Sequence, residues 1–479
     1  MRFSPLSHRG ATLGLFSMFL CQSLFGQAAA INGQIEGTVT DPAGAVVAQA
    51  DVSLRNVDTG LVRTQKTDAA GFYRFPLLPL GNYELTVTAA GFAPARRSGI
   101  VLSAGSNAVV DITLSLSATT TEIVVTAAPP AAEPGRVDIG GTLPATQVTN
   151  LPLVSRNTYN FILLQPNVSG RPNTELGVPR KVNANGFAGR INYQFDGSNN
   201  TQGDRAGIRL MPISNTFIAE VQMVNNGFAP EFGNTVGTVF NSISKSGSND
   251  FHGEAAYLFR RKDFSAHPAL LAANRPKPDL TVNNYFGNAG GRIIRDRLFF
   301  FGGWESLDRD LPTTITANPN AISALGFPAT VLNAAPFSQK ARFGIARIDW
   351  QVNSNNSVFV RYNYFRNNSP YNSVVSQGLA DTSHWFRDRV HAVAAQWIST
   401  LSPGLLTNSA SRRPAACNGA RPATGPAPAR SSRSPARSPS TARRMSASAP
   451  WKPRPKSSTT SASSAAVTSS AWAAASAGC

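Results

Sequence analysis

The stretch from 217 to 260 constrains the fold more than any other part of the chain. It opens with a strand-like run at 217–224 and passes through a turn-rich segment punctuated by Gly227, Gly233 and Gly237. A β-rich run at 238–244 follows and ends in Lys245-Ser246-Gly247. After a short polar hinge, Phe251, Gly253, Ala255, Tyr257 and Phe259 fall on one side of an extended chain. His252, Glu254, Ala256 and Arg260 fall on the other, with Leu258 out of pattern. A period of two means a strand with one apolar and one wet face. On these residues alone, a half-buried strand of an ordinary sheet satisfies the pattern.

A formal net charge of +18 on 479 residues suits a nucleic-acid partner only if the charge lies in the patterned region. It does not. Eleven Lys and Arg and no acidic residue lie between Ser409 and Cys479, and Arg2 and Arg9 take two more, so the segment between carries +5 (31 basic minus 26 acidic). The three cysteines, Cys21, Cys417 and Cys479, leave 29–408 with none, which excludes a disulfide framework or a Cys-rich metal centre there. The five histidines show no zinc-protease spacing, and the chain has no nucleophile elbow or phosphate loop. The sequence therefore predicts no catalytic residue, no metal, no cofactor and no nucleic-acid partner.

Residues 1–28 read as a secretory signal. Arg2, His8 and Arg9 precede an apolar stretch at 11–25, and small residues follow at 26–30. That stretch is short for a membrane span, and Leu20 before Cys21 is too large for a lipid-attachment box. Residues 31–117 predict a small β-sandwich. Ile35, Gly37 and Val39 alternate with polar neighbours. Turns at Asp41-Pro42-Ala43-Gly44, Asp68-Ala69-Ala70-Gly71 and Leu80-Gly81-Asn82 separate short strands, and a last strand runs from Val109 to Leu116. Residues 118–141 are a Thr-, Ala- and Pro-rich linker containing the β-prone run Glu122, Ile123, Val124, Val125, Thr126, Ala127. In 142–248, Tyr193-Gln194-Phe195-Asp196-Gly197-Ser198-Asn199-Asn200 ends in a polar, Gly-containing run. A calcium loop over Asp196, Ser198, Asn200 and Asp204 would need an acid where Gly207 stands, so a hydrogen-bonded loop is expected.

From 249 to 407 the alternation repeats. Tyr285, Gly287, Ala289, Gly291 and Ile293 share a face, Arg295-Asp296-Arg297 turns, and Leu298, Phe300, Gly302 and Trp304 share a face on the return. Gly344 to Val352 and Val358 to Tyr364 repeat the pattern around Asn353-Ser354-Asn355-Asn356, and 388–399 adds a weaker sixth strand. Segments of about ten residues with short turns at one end and long loops at the other suit an outer-membrane barrel.

Two resemblances sharpen this. The phrasing of 37–92, with Thr40-Asp41-Pro42, Thr67-Asp68, Tyr73, Leu80-Gly81-Asn82-Tyr83 and Gly91-Phe92, resembles the carboxypeptidase regulatory-like domain, which implies a transthyretin-like sandwich related to carbohydrate-binding modules. The order Ala219-Glu220-Val221, Pro230-Glu231-Phe232-Gly233, Asn241-Ser242-Ile243-Ser244-Lys245-Ser246-Gly247 and Phe251-His252-Gly253 resembles the junction of plug and barrel in TonB-dependent outer-membrane receptors. Leu151-Pro152-Leu153-Val154-Ser155-Arg156-Asn157 and the loop 193–200 resemble the Oar-like members.

The resemblance implies a mainly β chain: an N-terminal periplasmic sandwich, a mixed α/β plug and a partial antiparallel transmembrane barrel in the outer membrane. It makes 122–127 a TonB box that adds a strand to a TonB-type energy-coupling protein. It makes Asp196, Gly197, Asn199 and Asn200 a plug loop. It makes Glu231, Phe232, Gly233, Lys245, Gly247, Phe251, His252 and Gly253 the plug–barrel junction. The implied partners are outer-membrane lipid and a small ligand of unspecified kind, whether carbohydrate, peptide or metal chelate. The alternative is a secreted or periplasmic carbohydrate-binding or adhesive sandwich protein.

After Thr407 the periodicity vanishes into Ala, Ser, Pro and Arg, which predicts a disordered basic tail at 408–479. Receptors of this type continue T-E-F-R-F-G, and ACG-GAA-TTC-CGC-TTC-GGC with one G deleted reads ACG-AAT-TCC-GCT-TCG, giving Thr407-Asn408-Ser409-Ala410-Ser411. The tail is thus expected to be out-of-frame translation. Plugged transporters close about 22 strands, so six strands would form only a fragment of a working barrel.

Overall fold

The computed structural model describes residues 31–116 and 139–422, apart from 154–155, 174–175, 204–206, 228–231, 234, 268, 270–272, 275, 313–314, 316, 333–336, 373–383 and 403–404. The chain divides into two units, Met1–Ala423 and Thr424–Cys479, and everything described belongs to the first. The predicted signal, the run 122–127, Asp204, Glu231 and the tail from 423 lie outside the described residues.

The first domain has eight strands: β1 (Gly33–Thr40), β2 (Asp51–Asn56), β3 (Val62–Lys66), β4 (Phe72–Leu78), β5 (Gly81–Thr88), β6 (Ala95–Leu102), β7 (Asn107–Val109) and β8 (Ile112–Thr113). They form two sheets, β4-β1-β7 with β8 also on β1, and β3-β2-β5-β6. Alternation does the folding here. β1 buries every second residue, including Ile35 and Val39, and the facing sheet contributes Val52, Leu54, Leu85 and Val87. Tyr73 and Tyr83 lie in this core and give their hydroxyl protons to the carbonyls of Val110 and Pro79. The single strand predicted at 109–116 is broken in two. Between the pieces Asp111 accepts from the Thr38 amide (2.8 Å) and hydroxyl (3.0 Å), so a side chain takes the place of a ladder bond.

The plug begins three residues before its predicted start, with β9 (Ile139–Pro144). Then come the six-residue helix α1 (Ala145–Asn150), a 3-10 turn at Thr158–Leu164, β10 (Val168–Arg171), β11 (Arg180–Ala184), β12 (Phe187–Ala188), β13 (Ile191–Phe195), β14 (Ser198–Asn199), β15 (Ile218–Asn226) and β16 (Thr238–Ser244). One sheet runs β14-β13-β16-β15-β9, and β10-β11-β12 form a second. Every residue of β13 and β16 is buried, because the sheet is covered on both faces. Tyr159, Phe161 and Phe240 pack on it, and Phe301, Phe343 and Phe365 of the next domain join the same core.

That domain is an antiparallel meander: β17 (His252–Arg261), β18 (Thr281–Ile294), β19 (Leu298–Asp310), β20 (Ser338–Asn353), β21 (Asn356–Asn372), β22 (His384–Ser402) and β23 (Leu405–Pro422), with β17 and β23 as its two edges. Connections at 295–297, 354–355 and 403–404 are short; those at 262–280, 311–337 and 373–383 are long. Tyr257, Tyr285, Trp304, Trp350, Tyr362 and Trp397 are exposed on the outer face, while Phe299, Glu305, Arg309, Gln339, Arg361 and Asn363 are buried on the inner one. Leu258, out of pattern in the sequence, lies on the inner side, where it lines a cavity.

Among the described residues the wall has seven strands where six were predicted. β23 carries regular pairing with β22 through Pro422, where unstructured chain was predicted from residue 408. Backbone pairing needs no apolar periodicity, and Pro414, which lacks an N–H, is tolerated because β23 is an edge.

Candidate functional site

One plug carboxylate is aimed at the wall. Asp196-Gly197 is a two-residue hairpin loop between β13 and β14, with φ of 46° and 65°, and a residue without a Cβ suits the second position. The turn aims the Asp196 carboxylate at the wall, where it pairs with Arg361 of β21 and lies 3.7 Å from Arg347 Nη1 of β20. The Ser244 amide and hydroxyl each donate to it at 2.7 Å, and Arg347 also donates to the Ser244 hydroxyl at 2.8 Å. Arg347 is further braced by Asp349, at 2.7 Å. Arg361 stacks over the Phe195 ring at 3.8 Å and Arg347 over Phe359 at 4.6 Å. Burial by itself would raise the Asp196 pKa. The two guanidinium groups and the Ser244 donors outweigh it and hold the carboxyl below its usual range.

The rest of the predicted loop is knitted into the plug. Gly197 N donates to Asn241 Oδ1 at 3.1 Å, and Asn199 Oδ1 accepts from the Thr201 amide at 2.8 Å. Asn200, fully buried, donates to the Tyr159 hydroxyl and the Met211 carbonyl, each at 2.9 Å. With Asp196 already neutralised by arginine, the described residues of the loop have no carboxylate to offer a cation.

The junction residues do not converge on one point. Phe232 is buried beside Val224 and Val239, and the Gly233 carbonyl accepts from Asn192 Nδ2 at 2.9 Å. Lys245 pairs with Glu254 at 3.0 Å on an exposed surface. Gly247 lies against the backbone of Phe300 and Gly291, an approach that leaves no room for a Cβ. Phe251 is exposed under the Arg292 guanidinium, 5.6 Å from it. His252 Nδ1 lies 3.1 Å from the Asp250 carbonyl, and His252 and Gly253 pair with Gly290 and Ala289 to start the wall. The segment connects the last strand of the plug sheet to the first strand of the wall.

Reading for motifs missed Arg347, Arg361 and Glu305. The signal was available: charged residues on the inward-facing positions of wall strands must meet partners inside. Glu305 accepts from Ser214 and, at 2.9 Å, from Asn284 Nδ2. It borders a cavity of about 370 Å³ between plug and wall, with Arg156, Asn215, Leu258, Val282 and Arg309. The cavity lies near the ends of β17 and β19 that lead into the long connections.

Residues 34–115 match the carboxypeptidase regulatory-like domain, and residues 243–326 match the outer membrane beta barrel domain. The chain joins these two domains around a plug. It is 29% identical over 297 residues to the TonB-dependent transporter Oar of Myxococcus xanthus, an alignment covering 59% of this chain and 27% of the transporter. The chain therefore spans about a quarter of the length of that relative. Among solved structures, the outer membrane transporter YddB of Escherichia coli aligns at 14% identity over 55% of this chain and 37% of its own, with a TM-score of 0.43. The siderophore receptor PirA of Acinetobacter baumannii aligns at 14% identity over 60% and 41%, also with a TM-score of 0.43.

The match to the outer membrane beta barrel domain and the similarity to the transporter support an outer-membrane location. The regulatory-like domain packs at the short-turn end of the barrel strands. There the Asn249 amide donates to the Asp58 carbonyl at 2.8 Å, and Gln351 donates to the Thr59 hydroxyl at 3.2 Å. Among the described residues, no helix is long and apolar enough to cross a membrane, a statement that does not bear on strands.

Proposed function

We propose that the chain is part of a TonB-dependent outer-membrane receptor that takes up a small ligand. The observation that supports this most is the Asp196–Arg361 pair, which seats a separate β-plug against the inner face of a strand wall whose outer face is apolar. In this reading the regulatory-like domain sits in the periplasm, because it packs on the short turns. Ligand enters the cavity beside Arg156 and Glu305 at the long-loop end, and residues 122–127 present a strand to a TonB-type partner across the inner membrane's energy supply. A carbohydrate-binding role for the first domain has less to stand on: among its described residues Phe72 is the exposed aromatic ring, and one ring is not a stacking platform.

Retention of the protein on an immobilised periplasmic domain of a TonB-type protein tests this. Val124→Pro removes a ladder donor and should abolish retention. Undiminished retention would rule out the box. Recovery of the wild type in the soluble periplasmic fraction would overturn the receptor reading itself.

A further inference from the structure

Glu220 and Gln222 lie two apart on β15, so their side chains share a face. Both grip one residue of the regulatory-like domain. Glu220 Oε1 accepts from the Ala104 amide at 2.7 Å, and Gln222 Nε2 donates to the Ala104 carbonyl at 3.3 Å. Ala104 is at the tip of the turn after β6, fully buried. Around it Ile31 and Ala104 of the first domain, Val224, Val239 and Ile243 of the plug and Phe359 of the wall form one small apolar cluster. Glu220 is only 6% exposed, yet among the described residues it has no cation paired with it, unlike Asp196.

We propose that the regulatory-like domain is a detachable periplasmic cap on the plug, gripped at Ala104, and that protonation of Glu220 fastens it. A carboxylate in this apolar seam must either shed its charge or leave. The turn 103–106 brings Ser103, Ala104, Gly105 and Ser106; β9 brings Pro144 opposite Glu220; and β16 brings Ile243. None of these is charged. Asp58 and Asp296 at the second contact, and Lys245 beyond β16, do not act on Glu220. Burial pushes the Glu220 pKa up to about 7, against the lowering effect of the Ala104 amide and the Ser103 side chain. Undocked and in water, the same group titrates at about 4.3. Docking therefore takes up a proton. The cap is tightest below about pH 4 and loosens as pH rises to about 7, above which both forms are ionised and the affinity levels off.

Hydrogen exchange on the full chain in detergent tests this, read on peptides covering 103–106 and corrected for intrinsic pH dependence. Wild-type protection there should fall roughly 50-fold between pH 5 and pH 8, while peptides from β5 and β13 hold theirs. Glu220→Gln keeps an acceptor but cannot ionise, so its protection should stay at the low-pH level throughout. A wild-type series that changes less than about threefold, or a Glu220→Gln series that follows the wild type, overturns the proposal. If Glu220→Gln exposes β5 or β13 and so fails to fold, the wild-type series decides alone. None of these readings depends on TonB or on ligand, so the receptor assignment stands or falls separately.

Discussion

Two buried carboxylates on the plug do opposite things. Asp196 faces the wall and sits between Arg361 and Arg347; Glu220 faces the first domain and sits against a backbone amide in an apolar seam. Both are almost wholly inaccessible. What differs is the company each keeps, and this sets Asp196 below the usual range and Glu220 well above it. A charge that is paired stays through any physiological change of pH. One that is merely buried is conditional. The Asp196 contact with the barrel is thus fixed, and the Glu220 contact with the first domain is adjustable.

The largest effect should come from breaking the fixed side. Asp196→Ala leaves Arg361, itself 2% exposed, with its charge uncompensated, and should cost about 3–5 kcal/mol of plug docking, seen as a lower urea midpoint for plug release. Joining it to Arg361→Leu should recover part of that loss, since an apolar pair replaces an orphaned cation. A single mutant as stable as the wild type would mean the pair does not hold the plug. Ser244→Ala is gentler. It removes one hydroxyl shared by Asp196 and Arg347 but leaves the Ser244 amide in place, and should cost about 1.5–3 kcal/mol in the same assay.

Acid and mild base should separate the two carboxylates. Asp196 has a depressed pKa, so its contribution is present above the ordinary Asp value of about 4 and lost as pH falls through its own lower one. Glu220 has a raised pKa, so its contribution is full below about 4 and lost as pH climbs to about 7. Between pH 5 and 8 the contact at Ala104 should loosen while the Asp196–Arg361 contact holds. Below the ordinary Asp value of about 4 the order should begin to invert. Plug and cap loosening together across pH 5 to 8 would erase the distinction.

Much of this architecture was legible in the sequence because it is written in a period of two. The faces carrying Tyr285, Trp304, Ile348 and Val360 came out where the alternation put them, since a sheet between lipid and a packed interior imposes that pattern residue by residue. The loop at 196–197 was visible as Asp-Gly. What stayed hidden was pairing across distance. Asp196 and Arg361 are 165 residues apart, and Glu220 and Ala104 are 116 apart. No local spacing encodes such contacts. The extent of β23 was hidden for another reason: a strand held by backbone bonds at a sheet edge leaves no mark in side-chain periodicity.

The smallest expected effect bears most directly on the adjustable side. Gln222→Ala removes the weaker half of the grip on Ala104, a neutral hydrogen bond of 3.3 Å, and should cost about 0.5–1.5 kcal/mol of cap docking. Because Gln222 does not titrate, the loss should be the same at pH 5 and at pH 8, and the pH profile should shift down without changing shape. If the profile flattened instead, Glu220 would be responding to the seam's geometry rather than to its proton, and the two carboxylates would differ in packing alone. A parallel shift would place the pH response on Glu220 and leave Gln222 as a fixed support. That outcome requires the seam to keep its apolar cluster, Val224, Val239 and Ile243 included, when the amide is gone.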